Sequence, residues 1–395
     1  MGEILKPVMK EQAGMKKSAK EEIRLLLGNL RDTDWWVRKE TIGRLLDYPE
    51  NMYLSDLEEW LRDGNDALKR NASMEAFKEL GERALGFLVR LLKDEDVDVR
   101  ILSANVLGDI KEPSALGGLI VALKDPDENV RIAVAEALGK IGDERAVAPL
   151  GASISDMSWA AMAAIEALGS IGGIKARAVL HKCLENKDYC GIACSALEKA
   201  GDRSSIEYLI PLLKKENVRE LVLQSIVSIA EREKTALPAS LFYGDIDLLV
   251  DWLGSRREEI RRAAFIAMSW SNDMRGLPYY LKAFQDDLLL EYAINGLLAL
   301  GSKAVPEIVE TMKKPGKNNG ILAKVLSMIG EKETLMLFAN DEDDEVRTEV
   351  ALAIGSLRAP EVPETLQMLS GDPVAEVRAA ALLSLRNSKM EVQNQ

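Results

Sequence analysis

The side chains with the most obvious chemical potential lie close together near the middle of the chain. Four potential zinc ligands fall within 14 residues: His181, Cys183, Cys190 and Cys194. Cys190 and Cys194 are four residues apart and would share one face of a helix, whereas His181 and its neighbour Cys183 would not. The alternative is that the cysteines are small buried residues of a helical core. We favour this alternative and expect no metal site, because Cys194 takes a small core position in the repeat described below.

The sequence offers little else for catalysis. His181 is the single histidine, which excludes mechanisms that need two imidazoles, among them most catalytic zinc sites. There is neither a Gly-x-Ser-x-Gly turn nor a glycine-rich phosphate loop after a strand, and three cysteines cannot make a disulfide framework. We expect a protein that is not an enzyme and that holds no cofactor.

The charge of the chain points away from nucleic acids and membranes. There are 51 Lys and Arg against 64 Asp and Glu, a net charge of -13, and such an acidic surface does not attract nucleic-acid phosphates or anionic lipids. No apolar stretch reaches the roughly 18 residues of a membrane span, and the first 20 residues lack the apolar run of a signal peptide. We expect a cytoplasmic protein.

The elements that would position these side chains are helices in a repeated pattern. Hydrophobic residues make up 47% of the chain but aromatic residues only 5%, which is typical of close helix-on-helix packing. Residues 94–110 and 125–141 each contain an aspartate, a Val-Arg pair and a Leu-Gly step. With one apolar residue per repeat as a register mark, the period is about 30 residues. The marks are Leu45, Phe77, Leu107, Leu138, Leu168, Leu197, Ile226, Met268, Leu297, Leu326, Ile354 and Leu385.

Each repeat is predicted to form two helices, with the mark in the second. Asp125 and Pro126 suggest the cap and first residue of such a helix. A glycine four residues past the mark is predicted to end several second helices in a left-handed conformation. These glycines are Gly142, Gly172, Gly201, Gly301 and Gly330.

The pattern L-x-x-L-x-x-x-L-x-D-x-D-x-x-V-R-x-x-A-x-x-A-L-G-x-I-G resembles HEAT repeats, in the short 31-residue type also seen in phycobilisome-lyase-like proteins. The resemblance covers over nine-tenths of the chain. It implies an all-α superhelix, an α-solenoid of about twelve HEAT-like helical pairs, with the second helices on the concave face. Helix packing also favours a solenoid, because a helix pair has two apolar faces and must stack on neighbouring pairs to bury both.

One interval breaks the period. Ile226 and Met268 are 42 residues apart, so we assign residues 21–230 to repeats 1–7, 231–247 to an insertion and 245–388 to repeats 8–12. The insertion is either a partner-binding loop or a packed extra turn, and its apolar side chains include Leu241, Phe242 and Tyr243.

The two ends of the chain differ from the repeats. Residues 1–20 carry five lysines against two glutamates and form either a basic tail, able to touch an acidic surface, or a cap on the first repeat. Residues 389–395 are expected to form a polar tail.

An aspartate and an arginine recur four residues apart at the start of the second helix. They could bind anions, but the spacing also lets them pair within one repeat or between neighbours. We interpret them as a structural ladder. Its members are Asp34, Arg38, Asp66, Arg70, Asp96, Arg100, Asp127, Arg131, Arg219, Arg261, Asp343, Arg347 and Arg378. Other residues take the arginine position in four repeats: Ala161, Cys190, Leu290 and Asn319.

The exposed side of the second helices is where a solenoid would bind a partner. In repeats 8–12 this side is predicted to form an apolar groove with a charged rim, which suits a peptide or helix of another protein. The alternative is that these residues pack under neighbouring repeats. The candidates are Arg262, Ile266, Trp270, Glu291, Tyr292, Asn295, Lys324 and Met328, with Leu352 and Leu383 beyond them.

The expected function is therefore a non-enzymatic scaffold or adaptor that binds a protein or peptide partner on the concave face. The repeat resemblance also implies an alternative, a bilin-lyase-like enzyme or subunit that holds a linear tetrapyrrole. A remote alternative resembles the helical-repeat DNA glycosylases, which the net charge disfavours. The partner's identity and the oligomeric state stay open.

Overall fold

The computed structural model describes residues 19–154, 158–235, 237, 246–284, 286–314, 316, 318–357 and 361–393. Within these ranges every regular element is helical. The odd-numbered helices are the first of each pair: α1 (19–29), α3 (Leu54–Arg62), α5 (Glu82–Leu91), α7 (Leu116–Ala122), α9 (Val147–Ser153), α11 (Gly173–Cys183), α13 (Arg203–Leu209), α15 (Ile246–Leu253), α17 (Leu277–Ala283), α19 (Val305–Met312), α21 (Lys332–Leu335) and α23 (Val362–Leu369).

The even-numbered helices are the second of each pair. They are α2 (Trp35–Leu45), α4 (Ala67–Leu80), α6 (Val97–Ile110), α8 (Glu128–Ile141), α10 (Trp159–Ile171), α12 (Cys190–Ala200), α14 (Arg219–Arg232), α16 (Glu258–Trp270), α18 (Leu290–Leu300), α20 (Asn319–Ile329), α22 (Asp344–Ile354) and α24 (Ala375–Gln393). Every register mark lies in one of these helices. Eleven of the marks are 1% exposed or less, so one sequence pattern fixes the buried side of each second helix.

The chain divides into two compact units, Met1–Ser225 and Ile226–Gln395. In the first unit α6, α8, α10 and α12 pack side by side, each against the next. In the second unit α16, α18, α20, α22 and α24 do the same. Each unit is therefore a stack of helical pairs, and the predicted all-α repeat fold is confirmed.

The Leu-Gly step is a contact between second helices. A Cβ atom on Gly139 would lie 2.9 Å from the Cα of Ala167, and one on Gly169 would lie 2.9 Å from the Cα of Ala196. Because real Cβ atoms do not come this close, glycine is required for neighbouring helices to approach to this distance. Among the glycines past the marks, Gly142 is left-handed as predicted. The prediction is wrong for Gly201, whose φ is -66° because Asp202 caps the next helix at once.

Helix α8 starts at an aspartate two residues later than Asp125 suggested. Asp127 is the N-cap of α8, and its carboxylate accepts the backbone N–H groups of Asn129 and Val130. The predicted cap at Asp125 is wrong because that carboxylate has another partner. Arg100 of the preceding repeat donates to it from Nε at 2.9 Å and from Nη2 at 3.0 Å.

Of the two pairings that the spacing allowed, Arg100 makes the one between neighbouring repeats, with Asp125 and not with Asp96 four residues before it. The first aspartate caps its own helix, as Asp96 does in α6. The arginine turns back to the loop before its helix: Arg100 Nη1 donates to the carbonyls of Asp94 and Glu95. Its remaining donors reach the neighbouring repeat. The short aspartate side chain accepts N–H groups at the start of its own helix. The longer arginine side chain reaches a carboxylate of the next repeat.

In α20 an asparagine takes the arginine position of the ladder. Asn319 also donates hydrogen bonds to carbonyls of the loop before its helix. It is 5% exposed, and its Nδ2 donates to the carbonyls of Met312 at 3.1 Å and Lys314 at 2.9 Å. The preceding loop is therefore held by a shorter side chain at the same register position.

Candidate functional site

The even-helix face of the second unit contains the residues that the sequence singled out. We use this term for the positions two and six before and two after each register mark on α16, α18, α20, α22 and α24. These positions share one side of a helix because they are four residues apart. The helices lie side by side, so their side chains form one surface.

The structure contradicts one candidate on this face. Ile266 on α16 is fully buried, so it cannot line a surface that is open to a partner. Trp270, at the end of the same helix, is half-buried. The alternative reading, that these side chains pack under neighbouring repeats, is therefore correct for Ile266. Arg262, Glu291 and Asn295 are exposed.

A polar cluster joins α14, α16 and α18 at the α16 end of the even-helix face. Glu231 Oε1 on α14 lies 2.6 Å from Arg262 Nη2 on α16. The same oxygen accepts the hydroxyl of Tyr292 on α18 at 2.5 Å. Burial, followed by the hydrogen bond to Glu231, raises the pKa of Tyr292 to about 12. The cluster is a structural tie between successive repeats, because all of its members satisfy one another.

The sequence pattern did not single out Glu231. It was assigned to the insertion that was predicted to start at this residue, but α14 continues through Arg232. The available signal was the helical spacing from Ile226 to Glu231, which extends α14 by more than one turn. The candidate loop residues Leu241, Phe242 and Tyr243 and the basic segment 1–18 lie outside the described residues.

An apolar row occupies the other end of the even-helix face. Met328 on α20 is 58% exposed, Leu352 on α22 is 45% exposed and Leu383 on α24 is 52% exposed. Leu352 and Leu383 hold the same register position, two before the mark, and Met328 lies two after it. We call these three side chains the apolar row.

The helices that carry the apolar row approach each other closely. A Cβ atom on Gly320 would lie 2.5 Å from the Cβ of Glu345 on α22. One on Gly355 would lie 2.6 Å from the Cβ of Ser384 on α24. Tightly packed helices are about 8–10 Å apart, so the apolar side chains of neighbouring helices can contact one ligand helix.

One exposed cation lies beside the row. Lys324 on α20 holds the same register position as Leu352 and Leu383 and is exposed. Glu349 on α22 is half-buried, and burial raises the pKa of its carboxyl, an effect that the charge of Lys324 partly opposes. The row is thus apolar with one basic flank.

The cluster around His181 is structural. Its Nε2 lies 3.0 Å from Ser205 Oγ, and its ring stacks on Tyr208 with the centroids 3.9 Å apart. Ser205 is fully buried, and its hydroxyl also accepts the N–H of Asp202. A substrate could not reach this serine, although the sequence had given no reason to expect it next to the histidine.

The three cysteines are buried within helical packing. Burial raises the pKa of the Cys183 thiol and raises the pKa of Cys194 to about 12, so both are protonated at neutral pH. In the part of the chain that the structure describes, no three His, Cys, Asp or Glu side chains come together as metal ligands. No helix there is long and apolar enough to cross a membrane.

Known proteins identify the repeat. A family model for HEAT repeats matches residues 85–161 and 320–386. The chain contains HEAT repeats. The matched stretches cover α6 and α8 in the first unit and α22 in the second. The narrower resemblance to phycobilisome-lyase-like repeats stays a prediction.

Two solved structures are similar to this chain at low sequence identity. The crystal structure of an engineered protein is 19% identical, covers 93% of this chain and 99% of that chain, and has a TM-score of 0.32. An X-ray structure of YibA from Escherichia coli is 21% identical, covers 68% of this chain and 99% of that chain, and has a TM-score of 0.43. No curated protein matches the chain in sequence.

Proposed function

We propose that this HEAT-repeat protein is a non-enzymatic scaffold or adaptor whose second unit binds a protein or peptide partner on the even-helix face. The observation that carries the proposal is the apolar row. Three large apolar side chains, each about half exposed, lie on three consecutive helices that pack against one another. Single exposed apolar residues are ordinary, but a contiguous set on one face is typical of an interaction surface.

The chemistry of this face favours an amphipathic helix as the bound element. A helix presents apolar side chains three, four and seven residues apart along one stripe. Such a stripe can contact Met328, Leu352 and Leu383 together. A carboxylate at the edge of the stripe would meet Lys324, the exposed cation beside the apolar row.

Burial of the apolar row would provide much of the binding free energy. Covering a large apolar side chain completely contributes about 1.5–3 kcal/mol. These residues are already about half buried, so each has roughly half of that left to contribute. Together with an ion pair to the exposed Lys324, worth about 0.2–1 kcal/mol, the row suits reversible binding.

Photo-crosslinking tests the proposal directly. A photoreactive residue is placed at Leu352 and, in a matched control protein, at Leu337, which is 75% exposed and lies outside the even-helix face. Both proteins are expressed in cells of the source organism and irradiated. A partner that crosslinks at Leu352 but not at Leu337 supports the proposal. Identical products at the two positions, or none at Leu352, would overturn it.

A further inference from the structure

The first unit has a surface of its own at the register positions that form the even-helix face in the second unit. Ile101 on α6, Ile132 on α8 and Met162 on α10 each lie six residues before the mark of their helix. All three side chains are partly exposed. We call them the first-unit row.

The helices that carry the first-unit row are packed closely. A Cβ atom on Gly108 of α6 would lie 2.7 Å from the Cα of Ala137 on α8, and one on Gly139 of α8 would lie 2.9 Å from the Cα of Ala167 on α10. Tightly packed helices are about 8–10 Å apart, and residues seven apart on a ligand helix are separated by about 10.5 Å. A helix lying across α6, α8 and α10 can therefore place one apolar side chain on each member of the row.

Two carboxylates lie beside the first-unit row. Glu136 and Glu166 follow Ile132 and Met162 by four residues, one turn further along the same side of α8 and α10. Both glutamates are exposed. Among the described residues the structure gives neither carboxylate an ion-pair or hydrogen-bond partner. Cations of a ligand can therefore reach them.

The cations near these glutamates already have partners of their own. Lys140, two residues after the mark of α8, donates to Asp109 of α6 at 2.8 Å. Arg131 turns to the loop before α8, where its Nη1 donates to the carbonyl of Asp125 at 2.8 Å. The flank of the first-unit row is therefore acidic.

We propose that this surface of the first unit is a docking site for a basic amphipathic helix of a partner protein. Apolar residues seven apart on that helix pack on Ile101, Ile132 and Met162. Lysine or arginine residues on one flank of its apolar stripe pair with Glu136 and Glu166.

The two units then bind helices of opposite charge. The apolar row of the second unit has Lys324 beside it and favours a carboxylate on the ligand, whereas the first-unit row favours a cation. An acidic helix on the first-unit row would bring like charges together, which suppresses binding of the wrong partner. No residue of the even-helix face takes part in the first-unit site, so either proposal can fail while the other stands.

Calorimetry with the full chain and three synthetic helices tests the proposal. The basic probe has three heptads with leucine on one stripe and lysine on one flank. The acidic probe carries glutamate in place of lysine, and the scrambled probe has the composition of the basic one without its stripe. We expect saturable binding of the basic probe. The scrambled probe should bind at least tenfold more weakly, because it cannot cover the row and pair with the glutamates at once.

Charge reversal locates the binding. In Glu136→Lys/Glu166→Lys the basic probe should bind about tenfold or more weakly than in wild type, and the acidic probe should bind more tightly. The matched control is Glu185→Lys/Glu207→Lys, which makes the same change in charge at exposed positions away from the row. It should bind the basic probe within about twofold of wild type.

A second variant tests the apolar contact without changing the charge. Met162→Gln keeps the approximate size of a partly exposed side chain, so the fold should be retained. Loss of the apolar contact should weaken binding of the basic probe about three- to tenfold.

A third variant separates a partner helix from the chain's own basic segment, residues 1–18. Replacing Lys6, Lys10, Lys16 and Lys17 by glutamine should leave binding of the basic probe unchanged. Binding at least tenfold tighter than in wild type would show that this segment competes for the surface, and would overturn a partner as its occupant.

Three further results would overturn the proposal, provided that circular dichroism shows all variants folded. The first is the absence of saturable binding of the basic probe to wild type. The second is equal binding of the basic and scrambled probes. The third is an equal effect of the charge-reversed pair and its control pair.

Discussion

The guanidinium of Arg347 holds the carboxylate of Asp372 across the boundary between two repeats, with Nε and Nη2 donating to its two oxygens at 2.8 and 3.1 Å. The two side chains are only 12% and 7% exposed. Asp372 also accepts the backbone N–H of Val374, and so joins the start of α24 to α22. The last repeat of the second unit is therefore tied to its neighbour by charge as well as by apolar packing.

Removing this charge should destabilise the second unit. Asp372→Asn keeps the size of the side chain but leaves the largely buried Arg347 guanidinium without its bound carboxylate. We expect a loss of about 1–3 kcal/mol in the free energy of unfolding at pH 7, measured by urea unfolding. Asp287→Asn removes an exposed carboxylate in the same unit and should change little. Equal effects of the two substitutions would contradict the role given to the pair.

The same pair should make stability depend on pH. The hydrogen bond from Arg347 lowers the pKa of Asp372 in the folded chain, so its stabilising effect is complete above the unfolded pKa of about 3.9. The effect is lost as the pH falls through the lower, folded value. The difference between wild type and Asp372→Asn should therefore shrink between pH 5 and pH 2 in urea unfolding. A difference that stays constant with pH would rule out this linkage.

Close helix contact predicts opposite effects for two glycine substitutions. In Gly169→Ala the new Cβ would meet the Cα and Cβ of Ala196 at 2.9 Å, and the forced separation of α10 from α12 should cost about 1–3 kcal/mol. Gly117→Ala, in α7, adds a Cβ with nothing within 4 Å and should be neutral or stabilising by up to about 1 kcal/mol. Thermal unfolding of the two variants checks the contrast. A harmless Gly169→Ala would mean that the helices are not in contact there.

Tyr292 should resist ionisation. Burial and its hydrogen bond to Glu231 raise its pKa to about 12, so an absorbance titration of wild type minus Tyr292→Phe should show one phenol ionising near pH 12. Loss of the hydroxyl should cost about 0.5–1.5 kcal/mol. This contribution is present below the unfolded pKa of about 10 and is lost as the pH rises through the folded value. A difference titration centred at pH 10 would show that the phenol is solvated and does not bind Glu231.

The periodic part of the structure could be predicted from the sequence because it depends on local spacing. Marks such as Leu138 and Leu326 recur every 30 residues or so, and their burial follows from the apolar side of a helix. The resemblance to HEAT repeats was carried by the same residues. Even the exposed Met328 could be found, because its position two after the mark faces away from the core.

What could not be predicted depends on contacts between repeats. Ile266 holds an outward register position, yet the structure buries it. Glu231 acquires its role only because Arg262 and Tyr292 reach it from the next two repeats. Likewise, Arg100 pairs with Asp125 and not with Asp96, since Asp96 caps its own helix. Partner choice between side chains that are 25 to 61 residues apart is set by how helices stack, and spacing along one helix carries no information about it.

The most direct test of the central claim is the dissociation constant of the crosslinked partner for wild type, Leu352→Asp and Leu337→Asp. The aspartate at position 352 would place a charge in the middle of the apolar row, and we expect binding to weaken about ten- to hundredfold. Leu337→Asp makes the same change at an exposed position elsewhere in the same unit and should bind like wild type. If Leu352→Asp binds as tightly as wild type and is equally folded, the even-helix face is not the binding surface.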